Sequence, residues 1–151
     1  RTVPRDSTLR FNLQTNGLLI KKMLQRHSHV LNRIQTINVS IDGATADTYE
    51  QLRRGGKWQL LLKNLEFLSQ YQDQFEIKFH MVVQASNWHE MPLMLELADQ
   101  YGAHQVIFNR ITNWNTFDNF EQQQVPEQLD KFKTVFAQVQ QHPKSVTWQL
   151  V

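Results

Sequence analysis

A chain of 151 residues, 40% of them hydrophobic and 20% charged, has the composition of one ordinary globular domain that can bury a core. The net charge of +2 comes from scattered Lys and Arg residues, which argues against nucleic-acid binding. The sequence has no cysteine, which excludes disulfides and cysteine-ligated zinc or iron–sulfur sites from these residues. No apolar run approaches the roughly 20 residues that span a bilayer, and no signal peptide is recognisable, so we expect a cytoplasmic protein without membrane contact.

Strands and helices are predicted to alternate along the chain. The predicted strands are 9–14, a run around 37–41, 75–84, 105–111 and 146–151. The predicted helices are 18–31, 46–54, 58–71, 87–101 and 127–140, with a polar loop at 112–124. Thr45 is expected to cap the second helix, and Asn87 with Glu90 has the spacing of a capping box.

This alternation implies parallel strands joined by right-handed crossovers, as in part of a TIM-like barrel or in an open doubly wound sheet. Polar alternation in the strands favours the barrel, since only a barrel has a lumen that polar faces can share. We therefore predict an α/β fold, a partial (β/α) TIM-like barrel over residues 1–151, in which 116–151 form a trailing loop, helix and strand.

The stretch 36–56 is the most informative part of the chain. Its strand places Asn38, Ser40 and Asp42 on one face, and Val39 and Ile41 on the other. A polar face inside an α/β fold is costly unless something hydrogen-bonds to it. We therefore expect that face to look into a ligand-filled space, although Asp42 with the glycine after it also has the sequence of a simple turn.

Four sequence segments resemble the second half of a radical S-adenosylmethionine (SAM) domain of the SPASM-type relatives. They are QTNG, VSIDGATADTYEQLRRGG, VVQASNWHE and VIFNRITNW, within residues 9–115. The resemblance implies a partial (β/α)6 barrel that holds a 4Fe–4S cluster and SAM, which is cleaved reductively to a 5′-deoxyadenosyl radical. In that family the QTNG strand is the third, so we expect a barrel truncated before its third strand.

The family's Cys-x-x-x-Cys-x-x-Cys motif is not in this sequence, and neither is its Gly-Gly-Glu-like motif. The resemblance thus implies the SAM-binding portion of an oxidoreductase or modifying enzyme, inactive and without bound cofactor as this fragment, whose complete parent acts on a small molecule or a peptide. Two alternatives stay open: a noncatalytic, degenerate barrel that serves as a binding module, and a fragment of an ordinary metabolite-binding barrel enzyme. Three cysteines upstream of Arg1 would favour the enzyme fragment, and their absence there would favour the noncatalytic binding module.

The resemblance also implies which residues bind SAM. Gln14 and Ser40 resemble residues that hydrogen-bond its amino-acid or ribose part, and Asp42 ends the same polar face. Arg53 resembles the arginine that pairs with the methionine carboxylate, with Arg54 as a rival for that role.

Val82 and Ile111 fall where the family flanks adenine with apolar side chains, and Asn87 falls in the loop near adenine. His80 lies on the lumen side of its strand, where a buried structural histidine is the more common outcome. If two strands are missing before residue 9, the first strand is an open edge, and we expect self-association through it.

Overall fold

The computed structural model describes residues 8–113, 118–125, 130–143 and 146–151. The strands are β1 (Phe11–Thr15), β2 (Ile34–Ser40), β3 (Glu76–Val83), β4 (Gln105–Arg110) and β5 (Thr147–Leu150). The α-helices are α1 (Ile20–Arg26), α2 (Ala46–Leu52), α3 (Trp58–Ser69), α4 (Met91–Gln100), α5 (Phe120–Gln123) and α6 (Asp130–Gln141). Two 3-10 helices, Ser28–Arg33 and Trp88–Glu90, precede β2 and α4.

The strands form one parallel sheet in the order β1-β2-β3-β4-β5. A doubly wound sheet reverses its strand order at a switch point, whereas consecutive strands of a (β/α) barrel are neighbours throughout. The sequential order confirms the predicted α/β fold of the barrel type.

One face of the sheet carries the core. Every second residue of the central strands is fully buried there, among them Ile37, Val39, Phe79, Met81 and Phe108. Helices α1, α2, α3, α4 and α6 all contribute buried side chains to the same hydrophobic cluster. Because strand side chains alternate, the polar residues between these positions lie on the opposite face.

Two glycine positions fix the turns that follow β1 and β2. Gly17 has φ +80°, a left-handed conformation that favours glycine, and Asn64 of α3 donates to the carbonyls of Gly17 and Leu18 at 2.8 Å each. At Gly43, a Cβ atom would lie 2.5 Å from the backbone nitrogen of Tyr49. The start of α2 therefore packs directly against the backbone at the end of β2.

Two predicted segments differ from the structure, and the start of a third lies outside the described residues. The helix predicted over 18–31 is wrong as one element: α1 ends at Arg26, and the 3-10 helix that follows has no fully buried residue. The polar loop predicted at 112–124 contains the short helix α5. The predicted start of the last helix, at 127, lies outside the described residues, and α6 is described from Asp130. No helix of the described part of the chain is long and apolar enough to cross a membrane.

Candidate functional site

Asp42 connects three elements at the carboxyl edge of the sheet. Its Oδ1 accepts a hydrogen bond of 2.9 Å from the backbone N–H of Val82, at the end of β3. Its Oδ2 lies 2.7 Å from Nε of Arg53, which directly follows α2, although that N–H is not aligned for a hydrogen bond with any described residue. Only 13% of the Asp42 side chain and 29% of the Arg53 side chain are exposed. The contact is therefore a partly buried ion pair that holds the end of α2 against β2 and β3.

Asn87 is fully buried and holds the same edge from the other side. Its Nδ2 donates to the carbonyls of Asp42 and Val82, both at 2.8 Å. Its Oδ1 accepts from the backbone N–H of Gln84 at 2.8 Å. Both amide hydrogens are thus used by backbone carbonyls, and the side chain stabilises the ends of β2 and β3.

The predicted capping box at Asn87 and Glu90 is wrong. Asn87 makes no side-chain capping bond, and its backbone N–H donates to the Gln84 carbonyl. The Glu90 carboxylate, in a residue only 3% exposed, reaches instead to the loop after β2. It accepts from the Ala44 N–H at 2.6 Å and from the hydroxyls of Thr45 and Thr48 at 2.7 and 2.6 Å. Glu90 binds these tertiary partners because a buried carboxylate needs several donors, and the loop offers two and the first turn of α2 a third.

The face of the sheet opposite the core, here called the open face, is polar and partly exposed. Strand register brings Ser40 beside His80 across β2 and β3, and His80 beside Ile107 across β3 and β4. His80 Nε2 lies 3.1 Å from Oδ1 of Asn38, and an amide oxygen only accepts, so Nε2 carries the hydrogen. Burial first, and the nearby Lys78 charge second, lower the pKa of His80 below its usual value. The imidazole is therefore neutral at pH 7.

Gln14 also lies on the open face, but it is not directly opposite Ser40 in the strand register. It is exposed on β1 and pairs in register with Asn38, two residues before Ser40. Gln14 and Ser40 are thus diagonal neighbours on adjacent strands, and Asp42 follows beyond the end of β2.

The carboxyl ends of the central strands border a cleft of about 630 Å³, here called the carboxyl-edge cleft. Its lining includes Asp42, Val82, Gln84, Asn109, Ile111 and Thr112. Three of the residues predicted to bind a cofactor, Asp42, Val82 and Ile111, therefore lie around one space. The lining combines carboxylate and amide groups with aliphatic side chains.

Arg53 is not among the residues that line the carboxyl-edge cleft; it borders a second cavity of about 380 Å³, shared with Asn16, Tyr49, Arg54 and Gly56. The Tyr49 hydroxyl is buried and has no hydrogen-bond partner among the described residues. Burial is the main cause that raises the pKa of Tyr49, with Arg53 opposing and Asp42 and Glu50 adding to the shift. The rival Arg54 is more exposed than Arg53. Tyr49 carries no functional signal in the sequence, because a Tyr at helical spacing does not differ from an ordinary core residue.

Among the described residues, no group of three or more His, Asp or Glu side chains could hold a metal ion. His27 and His29 are exposed, with ring centroids 6.0 Å apart in an edge-to-face contact.

Comparisons with known proteins found one relative by sequence and several by structure. No protein-family model matches the chain. Over 99 residues, or 65% of this chain, the sequence is 32% identical to the AdoMet-dependent heme synthase of Methanosarcina barkeri. That stretch is 28% of the synthase, so the chain spans less than a third of its relative's length.

Solved structures of SuiB from Streptococcus suis share the fold. The SuiB structure bound to S-adenosylmethionine matches 95% of this chain and 33% of its own, with a TM-score of 0.67 and 11% identity. The structure of SuiB bound to the precursor peptide SuiA matches 94% of this chain and 32% of its own, with a TM-score of 0.61 and 11% identity. The five parallel strands and their helices thus have the arrangement of part of the SuiB fold.

Proposed function

We propose that this chain is the SAM-binding portion of a radical SAM domain. The observation that carries the proposal is the carboxyl-edge cleft, where Asp42, Val82 and Ile111 lie around one space at the ends of parallel strands. Ligands of (β/α) barrels bind at this edge, so fold and cleft agree on the location. The AdoMet-dependent relative and the SAM-bound SuiB structure support SAM as the ligand.

The residues at the cleft fit SAM. Its volume of about 630 Å³ lies within the range of small-molecule sites, which combine apolar walls with a few polar groups. Val82 and Ile111 would contact the two faces of adenine. Ser40 and Gln14, on the open face, would hydrogen-bond the ribose or the amino-acid part, and the Arg53 guanidinium would bind the methionine carboxylate. When bound, SAM supplies an adenosyl group on a sulfonium, which is the reactive part of the ligand.

Arg53 can serve both Asp42 and a ligand. A guanidinium carries five N–H donors, and the contact with Asp42 is made by Nε at 2.7 Å. The Asp42 carboxylate would hold the guanidinium in place before the ligand binds. Asn87, whose amide hydrogens are already used, would support the adenine side by holding Val82 in place rather than by donating to the base.

A 4Fe–4S cluster does not fit the residues of this chain, because cluster iron needs thiolate ligands and the sequence has no cysteine. We therefore derive no redox step from these residues. The same absence favours a second candidate, a noncatalytic barrel that binds a ligand without a cluster. A Cys-x-x-x-Cys-x-x-Cys motif encoded upstream of Arg1 would support the enzyme, and its absence there would support the binding module.

For the complete protein we propose a peptide substrate. The structural relative SuiB was crystallised with its precursor peptide SuiA, and this chain shares that fold over 94% of its length. In this proposal, the substrate would approach along the open face, which the core side chains do not occupy.

Binding measurements on an arginine variant test the proposed site. Arg53→Ala should weaken SAM binding by about 1.5–3 kcal/mol, because a charge-assisted bond to the ligand carboxylate is lost. The affinity of the purified chain for SAM, measured by isothermal titration calorimetry, reports this directly. Arg54→Ala is the matched control and should leave the affinity unchanged. Equal affinities for Arg53→Ala and the unchanged chain would contradict the assignment.

A further inference from the structure

The Glu90 carboxylate is the best-connected buried acid in the described part of the chain. Its three hydrogen bonds all come from the segment Ala44, Thr45 and Thr48, on the far side of the sheet edge. A buried carboxylate is costly to desolvate unless such donors surround it. The arrangement therefore fixes that segment with respect to the start of α4.

Thr45 couples this contact to the start of α2. Its hydroxyl oxygen accepts from the Thr48 N–H at 3.4 Å and thereby caps the helix. The same hydroxyl donates to Glu90 at 2.7 Å. The first turn of α2 is thus capped by a group whose own hydrogen atom is held by Glu90.

The 3-10 turn that carries Glu90 also follows Asn87, which holds the Asp42 carbonyl. One short segment before α4 therefore fixes both Asp42 and the first turn of α2. Helix α2 is only seven residues long, and Arg53 directly follows it. Fixing the start of so short a helix also fixes the position of Arg53 at its end.

We propose that Glu90 is a positioning residue for the Asp42–Arg53 ion pair. It holds α2 in the orientation in which Arg53 Nε meets the Asp42 carboxylate. The consequence for ligand binding rests on the proposed function: an arginine held in this way is ready to receive the SAM carboxylate without further ordering. Glu90 does not itself touch the carboxyl-edge cleft.

The test combines NMR of the Arg53 side chain with SAM binding. Glu90→Gln keeps the shape of the side chain but replaces one acceptor oxygen with an NH₂ donor. That NH₂ group would face the N–H of Ala44 or the hydroxyl groups of Thr45 and Thr48, which are donors themselves. We expect the Arg53 Nε–H resonance to shift or broaden and the SAM affinity to fall several-fold. Glu96→Gln, an exposed glutamate on α4, is the matched control and should change neither.

A folded Glu90→Gln protein with the unchanged Arg53 resonance would overturn the proposal. If Glu90→Gln does not fold, Thr48→Val decides instead, because it removes one donor to Glu90 at nearly constant volume and should shift the Arg53 resonance in the same direction. An unchanged resonance in that variant likewise overturns the proposal. The resonance needs no ligand, so failure of the unchanged chain to bind SAM would contradict the proposed function alone.

Discussion

Ser40 and its neighbour Val39 show how adjacent positions in β2 lie on opposite faces of the sheet. Val39 is fully buried against the helices, whereas Ser40 lies on the open face beside His80. The same alternation places Asn38 where it can accept from His80. Strand parity is visible in the sequence, so the division of the sheet into a core face and a polar open face was predictable.

The environment of His80 leads to a pH prediction. Burial lowers its pKa in the folded state, so below the unfolded-state value of about 6.5 the unfolded chain binds more protons than the folded chain. The contribution of neutral His80 to the free energy of unfolding is fully present above that pH. It is lost as the pH falls toward the folded-state pKa of His80. We expect His80→Gln to lose less stability than the unchanged chain between pH 7.5 and pH 5, measured by urea unfolding.

His29→Gln is the control for this measurement, because His29 is exposed. It should lose stability with falling pH in the same way as the unchanged chain. Identical pH dependence of the His80→Gln and unchanged proteins would show that His80 is not the group responsible.

At the scale of elements, local patterns predicted most strands and helices, whereas tertiary contacts decided the rest. The strand–helix alternation and the Thr45 cap are confirmed because the patterns that predict them lie in neighbouring residues. The capping box predicted from the Asn87–Glu90 spacing is wrong because the Glu90 carboxylate finds its donors more than 40 residues away, at Ala44 to Thr48. The same limit hid the partner of Asp42, since an ion pair with Arg53 depends on how α2 packs.

Strand β1 is an edge of the described sheet, paired with β2 alone. Its backbone offers hydrogen-bonding groups to another strand, and Leu9 and Leu19 nearby are 57% and 68% exposed. We predict self-association through this edge, visible as dimers by size-exclusion chromatography with light scattering at high micromolar concentration. Leu9→Lys should reduce the dimer, since charge at an edge opposes strand pairing.

Leu93→Lys provides the control for that experiment. Leu93 is 43% exposed on α4, away from the first strand, so its replacement should leave the association unchanged. A clean monomer of the unchanged chain at the same concentration would contradict the prediction.

The whole molecule has two different sides. Helices α1 to α4 and α6 pack with the core on one face of the parallel sheet, and the open face and the carboxyl-edge cleft carry polar side chains together with aliphatic ones such as Val82 and Ile111. In barrels of parallel strands, ligands bind at the carboxyl ends of the strands, where the carboxyl-edge cleft lies. The proposed SAM site rests on that location, together with the relatives that share the sequence or the fold.

The most direct test of this account is an NMR titration of the ¹⁵N-labelled chain with SAM and with its two halves, 5′-methylthioadenosine and methionine. The account predicts weak binding of SAM, with a dissociation constant of about 1 mM or below, equivalent to at least about 4 kcal/mol. SAM should shift the resonances of Ser40, Val82, Ile111 and the Arg53 side chain. Methylthioadenosine should shift those of Val82 and Ile111, and methionine that of Arg53. No shift at several times that concentration, or shifts confined to residues other than these four, would contradict it.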